Sequence, residues 1–403
     1  MKRYIQKLNR IWKLILLFIL LGMTFSYAMF QGGFVSWFLF YSFLPFAIYG
    51  LLVAIYPIRD WEVNRKMEKH EYSAKEELVV EIELSRKTFF PIFYLLIEDC
   101  FSFSGSNKLM GKTILMPGFK RHLSYTYKID ELPRGEHTFS QLLLKVGDPL
   151  GLIETEKVYK QEDKILVYPP YENIVYKPLE THYEQGLASS KERVQRDTTM
   201  AVGIREYQPG DRFSWINWKA SAKRNNMMTK EFEQRQSQDL LVVMDSMESE
   251  GFEVLVSFTA SMVRAILKKG AQTGFLSVDE KERVIFPIRG GESHQQLILH
   301  YLARVRPIKG LTIAQMLDTE NSLFQQHTTL LLVTTELTET LIERVSYLSS
   351  KQFNIGVFVV KKERDSLSAD EKTWSLFASK RGIRIIPVTS GKFNDVFSRG
   401  SAG

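Results

Sequence analysis

The chain has 403 residues, of which 44% are hydrophobic, so it has enough material for two or three domains with buried cores. A single cysteine, Cys100, excludes an intramolecular disulfide and fits a reducing compartment. The net charge of +7 is concentrated before residue 67, where eight basic residues stand against two acidic ones. The rest of the chain has 45 basic and 44 acidic residues, which argues against a nucleic-acid partner.

Two uncharged runs, residues 14–30 and 34–56, lie near the N-terminus on either side of a glycine-rich break. A membrane-spanning helix needs roughly 20 apolar residues, so the sequence predicts a helical membrane hairpin in residues 1–60. Lys and Arg flank both outer ends, which predicts a multi-pass protein of the cell membrane with its N-terminus and soluble domains in the cytoplasm. The alternative is a signal peptide cleaved after Ala28, and the second run would then stop transfer and leave the bulk cytoplasmic.

Residues 61–170 carry hydrophobic side chains at every second position, in short segments separated by turns rich in Pro and Gly. In residues 78–84 the acidic side chains fall on the face opposite the apolar ones. Several short strands at this spacing are typical of a β-sandwich. We therefore expect a β-rich, sandwich-like domain here, followed by a polar connector over residues 171–202.

Apolar runs alternate with helical patterns over residues 240–403. The predicted elements are strands at 240–244, 330–333, 355–360 and 383–388, a hairpin of 275–278 with 284–288, and helices at 252–269, 293–304, 338–350 and 369–379. This alternation predicts a doubly wound α/β domain with a mostly parallel sheet covered on both faces. Ligand sites in such sheets form at the carboxyl ends of strands, near the point where strand order reverses. Asp245 and Thr334-Thr335-Glu336 occupy such ends.

Residues 203–239, between the connector and this domain, hold the densest mixture of charged and aromatic side chains. The candidate binding residues are Arg205, Glu206, Tyr207, Pro209, Gly210, Asp211, Trp215, Trp218 and Lys219. In a scaffold interpretation, Asp211 follows a tight turn, pairs with Arg205 or leaves that role to Glu206, and caps a short helix over residues 214–222. Both tryptophan rings would then share one face of that helix and pack under the sheet.

A second interpretation of the same segment is a docking surface, because Trp and Arg supply much of the binding energy at protein interfaces. Catalysis is not expected. The segment lies between His182 and His294 without a histidine, and no cysteine is near it. The chain therefore has no convincing catalytic constellation, and we expect it not to be an enzyme.

A set of short motifs runs through the chain in a specific order and spacing. They are Gly147-Asp148-Pro149-Leu150-Gly151-Leu152, Val167-Tyr168-Pro169, Arg205-Glu206-Tyr207, Pro209-Gly210-Asp211, Ile216-Asn217-Trp218-Lys219-Ala220 and Lys230-Glu231-Phe232 before an apolar strand that ends in Asp. This set resembles the signature of the bacterial "domain of unknown function 58" family, and the resemblance covers most of the chain, including both N-terminal spans.

The resemblance implies a membrane hairpin, a β-rich domain and a C-terminal domain like von Willebrand factor type A. It also implies a frequent genomic neighbour, a MoxR-type AAA+ ATPase, often accompanied by a transglutaminase-like membrane protein. No enzymatic activity is established for the family.

Type A domains often bind a divalent cation through an Asp-x-Ser-x-Ser loop, a Thr and a second Asp. Here the loop is Asp245-Ser246-Met247-Glu248-Ser249, and Met247 cannot offer the hard oxygen ligand that Mg²⁺ prefers. Asp245, Ser249 and Glu336 remain as a weak oxygen set for Mg²⁺ or Mn²⁺. We expect a degenerate site without a cofactor.

These observations favour a membrane-anchored cytoplasmic adaptor that partners a MoxR-type ATPase in assembly or stress response at the cell envelope. One alternative is a protein-binding domain that depends on a divalent metal. Another alternative is an unrecognised hydrolase, which would need a converging acid/base pair in a deep pocket.

Overall fold

A computed structural model of the chain describes residues 2–102, 109–177, 195–208, 211–235, 239–279, 283–310, 312–319, 329–351, 354–362, 365 and 367–398. The chain forms two compact units, Met1–Pro170 and Tyr171–Gly403. The membrane hairpin and the β-rich domain, predicted as separate domains, therefore belong to one unit.

The first unit begins with two long helices, α1 (Lys2–Gln31) and α2 (Phe34–Ile55). The stretches Ile11–Gln31 and Phe34–Ile55 are long and apolar enough to cross a membrane. The helices are joined by Gly32, which has a φ of 61° that favours glycine. The Ser36 hydroxyl closes the start of α2 by accepting from the Gly33 N–H and donating to the Gly33 carbonyl. The tight connection makes the pair a hairpin.

Two sheets follow in the same unit. Their strands are β1 (Trp61–Met67), β2 (Glu71–Ser73), β3 (Leu78–Arg86), β4 (Tyr94–Ser102), β5 (Leu109–Leu115), β6 (His122–Ile129), β7 (Gly135–Gly147) and β8 (Glu154–Tyr168). One sheet has the order β1-β3-β6 and the other β2-β8-β7-β4-β5. Strand β3 shows why the sheets pack, since Leu78, Val80 and Ile82 are fully buried while the residues between them are not. The two sheets bury one shared core.

The helical hairpin enters that core. Leu17 of α1 and Val53 of α2 are buried in it together with Ile153 of the β-rich part. The Lys13 ammonium lies 3.4 Å from a carboxylate oxygen of Glu154. Helices and sheets therefore share their hydrophobic contacts, which is why they form one unit.

The second unit contains a small sheet and a large one among its described residues. Its elements are β9 (Gln195–Glu206), α3 (Trp218–Arg224), β10 (Met228–Arg235), β11 (Asp239–Met244), α4 (Phe252–Lys268), β12 (Gln272–Val278), β13 (Arg283–Arg289), α5 (Glu292–Arg304), α6 (Ile313–Thr319), β14 (Thr329–Thr334), α7 (Glu339–Ser350), β15 (Ile355–Lys361), α8 (Ala369–Ser379), β16 (Arg384–Thr389) and α9 (Asp395–Ser398).

The large sheet has the order β13-β12-β11-β14-β15-β16, and all pairs are parallel except that of β12 with the edge strand β13. One face is covered by α6, α7 and α8. On the other face Phe258 of α4 packs against Phe358 of β15, with ring centroids 5.4 Å apart. Strand order reverses between β11 and β14, because β12 continues on one side and β14 on the other. This is the position where open α/β sheets place their ligands.

The structure describes both ends of the connector that was predicted over residues 171–202. Ile174 and Tyr176 are buried, and the Glu172 N–H donates to the Ser261 hydroxyl of α4 at 2.9 Å. Strand β9 already begins at Gln195. Of the predicted connector, residues 178–194 lie outside the described residues.

Candidate functional site

The carboxyl ends of β11 and β14 bring Asp245 and Thr334 together. Parallel pairing sets Met244 beside Val333, and the Asp245 N–H continues the ladder by donating to the Val333 carbonyl at 2.9 Å. The Thr334 hydroxyl then lies 2.8 Å from Asp245 Oδ2. The Met247 N–H donates to the other carboxylate oxygen at 3.1 Å. The register of two strands thus places this buried carboxylate at the switch point.

The environment of Asp245 disfavours its charge. Its side chain is buried, and no Lys or Arg of the described residues forms an ion pair with it. Burial raises the pKa of the Asp245 carboxyl above its usual range, and the negative charge of Glu336 raises it further, although the Met247 and Thr334 hydrogen bonds oppose this shift. A cation near Asp245 would stabilise the ionised form.

The loop after β11 is held by a neighbouring segment. Met247 forms an isolated bridge with Ile308, and the Glu248 N–H donates to the Ile308 carbonyl at 2.9 Å. The Ser246 hydroxyl lies 2.8 Å from that of Ser277 in β12. Ser249 differs from these residues, because its hydroxyl is buried and has no hydrogen-bond partner among the described residues.

The residues predicted as a weak metal set lie on two adjacent loops, but they are not equivalent. Asp245 is buried and Ser249 is half-buried, whereas the Glu336 side chain is exposed. Within the described part of the chain, no group of three or more His, Cys, Asp or Glu could hold a metal ion. Thr334 was predicted at a strand end but was not part of the predicted metal set, and its contact with Asp245 depends on the β11–β14 register.

An ion pair between Lys361 and Glu371 supports the loop that carries Glu336. Glu371 accepts from the Leu337 N–H at 3.2 Å and from the Lys361 ammonium at 2.8 Å. It also closes the start of α8, where it accepts from the Ser368 N–H while its own N–H donates to the Ser368 hydroxyl. Burial alone would raise the pKa of Glu371, but Lys361 and the two N–H groups hold it below its usual range.

The segment predicted as a binding signature forms an antiparallel hairpin of β9 and β10 with α3 between them. Asn217 caps α3, since its side chain accepts from the Ala220 N–H at 3.2 Å. The Ser221 hydroxyl accepts from the Met228 N–H at 2.9 Å and so ties α3 to β10. This hairpin with its inserted helix is called the signature hairpin below.

Arg205 and Asp211 form the ion pair that was one of the two predicted alternatives, with 2.7 Å between guanidinium and carboxylate. Asp211 also accepts from the Gln208 N–H at 3.0 Å and closes the turn. The expectation that Asp211 caps the helix is therefore wrong, because Asn217 does so and α3 begins only at Trp218. The predicted turn residues Pro209 and Gly210 lie outside the described residues.

Two aromatic side chains of the signature hairpin are exposed to solvent. Trp218 is 66% exposed and Phe213 is 69% exposed. Trp215 is half-buried, and the Arg212 guanidinium lies 5.5 Å from its ring. The expectation that both tryptophans pack under the sheet is thus wrong for Trp218. Tyr207 is half-buried and contacts Phe213 with ring centroids 6.2 Å apart, while the Glu206 and Lys219 side chains are exposed.

Comparison with known proteins gives one family match and one relative that covers nearly the whole chain. The model of the family "Protein of unknown function DUF58" matches residues 203–374. The uncharacterized protein YeaD of Bacillus subtilis strain 168 is 38% identical over 391 residues, which cover 96% of this chain and 97% of that protein. The chain belongs to the DUF58 family. The DUF58 match begins within β9 of the signature hairpin and continues through both strands of the Asp245–Thr334 site.

Solved structures add little to the DUF58 assignment. The CARDB domain of the PF1109 protein from Pyrococcus furiosus is 11% identical with a TM-score of 0.18, covering 27% of this chain and 87% of that domain. The sporulation control protein Spo0M from Bacillus subtilis is 15% identical with a TM-score of 0.17, covering 27% of this chain and 49% of the other. Scores this low carry no argument about the fold.

Proposed function

We propose that this DUF58 protein is a non-enzymatic membrane-anchored adaptor whose signature hairpin docks a MoxR-type AAA+ ATPase. The observation that carries the proposal is the exposure of Trp218 and Phe213 on a hairpin closed by the Arg205–Asp211 ion pair. A large aromatic side chain that stays in water lacks the favourable free energy that its burial would contribute. Rigid exposed aromatics are typical anchors of protein interfaces.

The charge of α3 specifies the chemistry of the partner surface. Lys219, Lys223 and Arg224 are exposed on this short helix, beside Trp218. A complementary surface would offer an apolar pocket for the indole and carboxylates around it. We therefore expect the ATPase to present an acidic rim around an apolar pocket.

The anchor follows from α1 and α2. Both are long and apolar enough to span, and Lys and Arg flank their outer ends, which favours an uncleaved hairpin with both soluble regions in the cytoplasm. A cytoplasmic position is required for an ATPase partner. The resemblance to the family adds a transglutaminase-like membrane protein as a second expected component and envelope assembly or stress response as the setting.

The order of the large sheet, with its antiparallel edge strand β13, supports a unit like von Willebrand factor type A. Such a unit would present the signature hairpin from a rigid parallel sheet. The adaptor role does not depend on this likeness, because the exposed aromatics belong to the hairpin itself.

Binding of the purified, detergent-solubilised chain to the MoxR-type ATPase of the same cell tests the proposal. Trp218→Ala should weaken binding by about 2 kcal/mol or more, the loss expected at an interface anchor. Leu376→Ala is the matched control, because Leu376 is 67% exposed in the same unit but lies on α8. Absence of binding by the unaltered chain, or equal binding by both variants, would contradict the proposal.

A second candidate function is capture of a protein carboxylate through a divalent cation at Asp245. The observation that favours it is a buried Asp245 carboxylate without a cationic partner, followed in the same loop by a buried Ser249 hydroxyl without a hydrogen-bond partner, both within the part of the chain that the structure describes. Asp245, Ser249 and Glu336 would hold the ion. The fit is partial, because Met247 offers a thioether where the type A pattern has a hydroxyl.

Calorimetry with Mg²⁺ and Mn²⁺ on the full chain tests this candidate. Binding that is lost in Asp245→Ala and retained in Glu250→Gln would support it, since Glu250 is an exposed acid in the same loop that pairs with Lys362. No heat of binding in the unaltered chain would reject it. No observation on the described residues favours the hydrolase alternative, so it is not proposed.

A further inference from the structure

Two loops of the first unit expose large apolar side chains next to the helical hairpin. Phe89 and Phe93 belong to residues 86–93, and Met116 and Phe119 to residues 116–121, with each side chain more than half exposed. The rings of Phe89 and Phe119 stack with centroids 5.1 Å apart, which joins the loops into one surface. These two loops are called the rim below.

The rim is rigid because Arg86 is buried between its loops. The Arg86 guanidinium donates to the carbonyls of Phe90 at 2.6 Å, Gly118 at 2.7 Å and Lys120 at 2.9 Å. Ile92 and Gly118 exchange two backbone hydrogen bonds across the loops. The exposed aromatic side chains of the rim therefore lie on loops that hydrogen bonds hold in place.

The position of the rim along α2 sets its depth relative to a membrane. Tyr49 donates its hydroxyl proton to the Pro91 carbonyl at 3.0 Å, and its ring lies 5.1 Å from Phe93. Tyr49 lies about 9 Å before the end of α2 at Ile55, at about 1.5 Å per residue. The whole helix is about 33 Å long by the same rise, close to the ~30 Å of a bilayer core. A bilayer spanned by α2 therefore reaches the rim.

Basic side chains border the apolar ones. Lys87, Lys120 and Arg121 are exposed, and the Arg121 guanidinium lies 5.5 Å from the Phe89 ring. Two acids lie beside them: Asp60 accepts from the N–H groups of Lys87 and Thr88, and a carboxylate oxygen of the exposed Glu62 lies 3.9 Å from the Lys87 ammonium. Aromatic side chains with Lys and Arg beside them suit the boundary between acyl chains and anionic headgroups.

We propose that the rim is a second membrane-contact site, which inserts Phe89, Phe93, Met116 and Phe119 into the headgroup region while Lys87, Lys120 and Arg121 contact anionic phospholipids. The inference rests on the proposed membrane anchor. It goes further, because it adds a direct contact between the β-rich part of the first unit and the lipid headgroups.

Spin labelling of the full chain in vesicles of phosphatidylethanolamine and phosphatidylglycerol tests the rim. In a Cys100→Ala background, a nitroxide is attached at Phe119→Cys, and its collisions with oxygen and with a polar nickel chelate are compared. Phe38→Cys in α2 is the spanning control. Asp130→Cys is the exposed control, because it follows the end of β6, which lies about 24 Å from His122 by strand rise.

The ratio of oxygen to nickel collisions at position 119 should exceed that at position 130 severalfold and approach that at position 38. It should fall when phosphatidylcholine replaces both lipids or when Lys120 and Arg121 are changed to Glu. An embedded label at 38 with equal ratios at 119 and 130 overturns the rim and leaves the anchor intact. A water-exposed label at 38 overturns both.

Discussion

Two buried aspartates in the two units have opposite surroundings. Asp99 in β4 is 1% exposed and lies against Arg65, which approaches it with two nitrogens at 2.5 and 3.0 Å. Tyr127 donates to the same carboxylate at 2.7 Å. Asp245 is 7% exposed and has hydrogen bonds from one hydroxyl and one N–H, but no ion pair within the described residues.

The difference separates a structural role from a candidate functional one. A buried carboxylate with a guanidinium is compensated, and the Arg65–Asp99 pair joins β1 of one sheet to β4 of the other. A buried carboxylate without a cation lowers the stability of its own unit. Asp245 thus resembles the perturbed groups found at binding sites, and it lies at the switch point where ligands bind.

The largest effect is expected from Arg65→Ala, which leaves the charges of Asp99 and Asp163 without their guanidinium. The loss should be about 3–5 kcal/mol, as measured when one partner of a buried pair is removed. Guanidinium denaturation of the detergent-solubilised chain measures it. Lys66→Ala is the matched control next in sequence, since its pair with Glu83 is exposed and its removal should cause little change. Equal effects of both substitutions would show that burial of the pair does not matter.

Glu371→Gln sharpens the comparison within the second unit, because Glu371 and Asp245 have opposite pKa shifts near one edge of the sheet. The variant should lose about 1.5–3 kcal/mol at neutral pH, the size of a hydrogen bond to a charged group. The folded pKa of Glu371 is lowered, so its stabilisation is present above the usual value of 4.5 and is lost as the pH falls through the folded pKa. The gap between variant and unaltered chain in thermal unfolding should close in acid.

Asp245→Asn should give the smallest change and the opposite sign, a higher melting temperature at neutral pH. The amide fits, because its oxygen can accept from the Met247 N–H and its nitrogen can donate to Thr334, whose proton can turn to the Glu336 carbonyl 3.0 Å away. The folded pKa of Asp245 is raised, so the gain should be full above that pKa and vanish below the usual value of 3.8. A lower melting temperature at neutral pH would contradict the account of an uncompensated charge.

Much of the fold could be predicted from local pattern. Helix α8 was predicted at Ala369–Ser379, its observed bounds, and in the structure Ser368 and Glu371 form a capping box at its start. The start of β8 is harder to predict, because most of its outward side chains there are charged and exposed, which is also typical of a loop. Strand β9 was partly assigned to the connector for a related reason, since its polar residues become a strand only through pairing with β10.

The candidate site could be predicted only in part. Asp245 was expected at a strand end because the apolar run before it is buried on both faces. Its contact with Thr334 depends on the parallel register of two strands that are far apart in sequence. The spacing of Trp215 and Trp218 indicated a shared helical face, but it could not show that α3 begins at Trp218 and leaves this ring in solvent.

Site-specific photocrosslinking tests the docking role of the signature hairpin most directly. A benzophenone amino acid replaces Trp218 in the full chain, in membranes that also contain the MoxR-type ATPase, and Leu376 on α8 carries the same group as the control. The account predicts an adduct with the ATPase from position 218 and none from position 376. An adduct from position 376 alone, or none from position 218 while the two proteins remain associated, would show that the signature hairpin is not the docking surface.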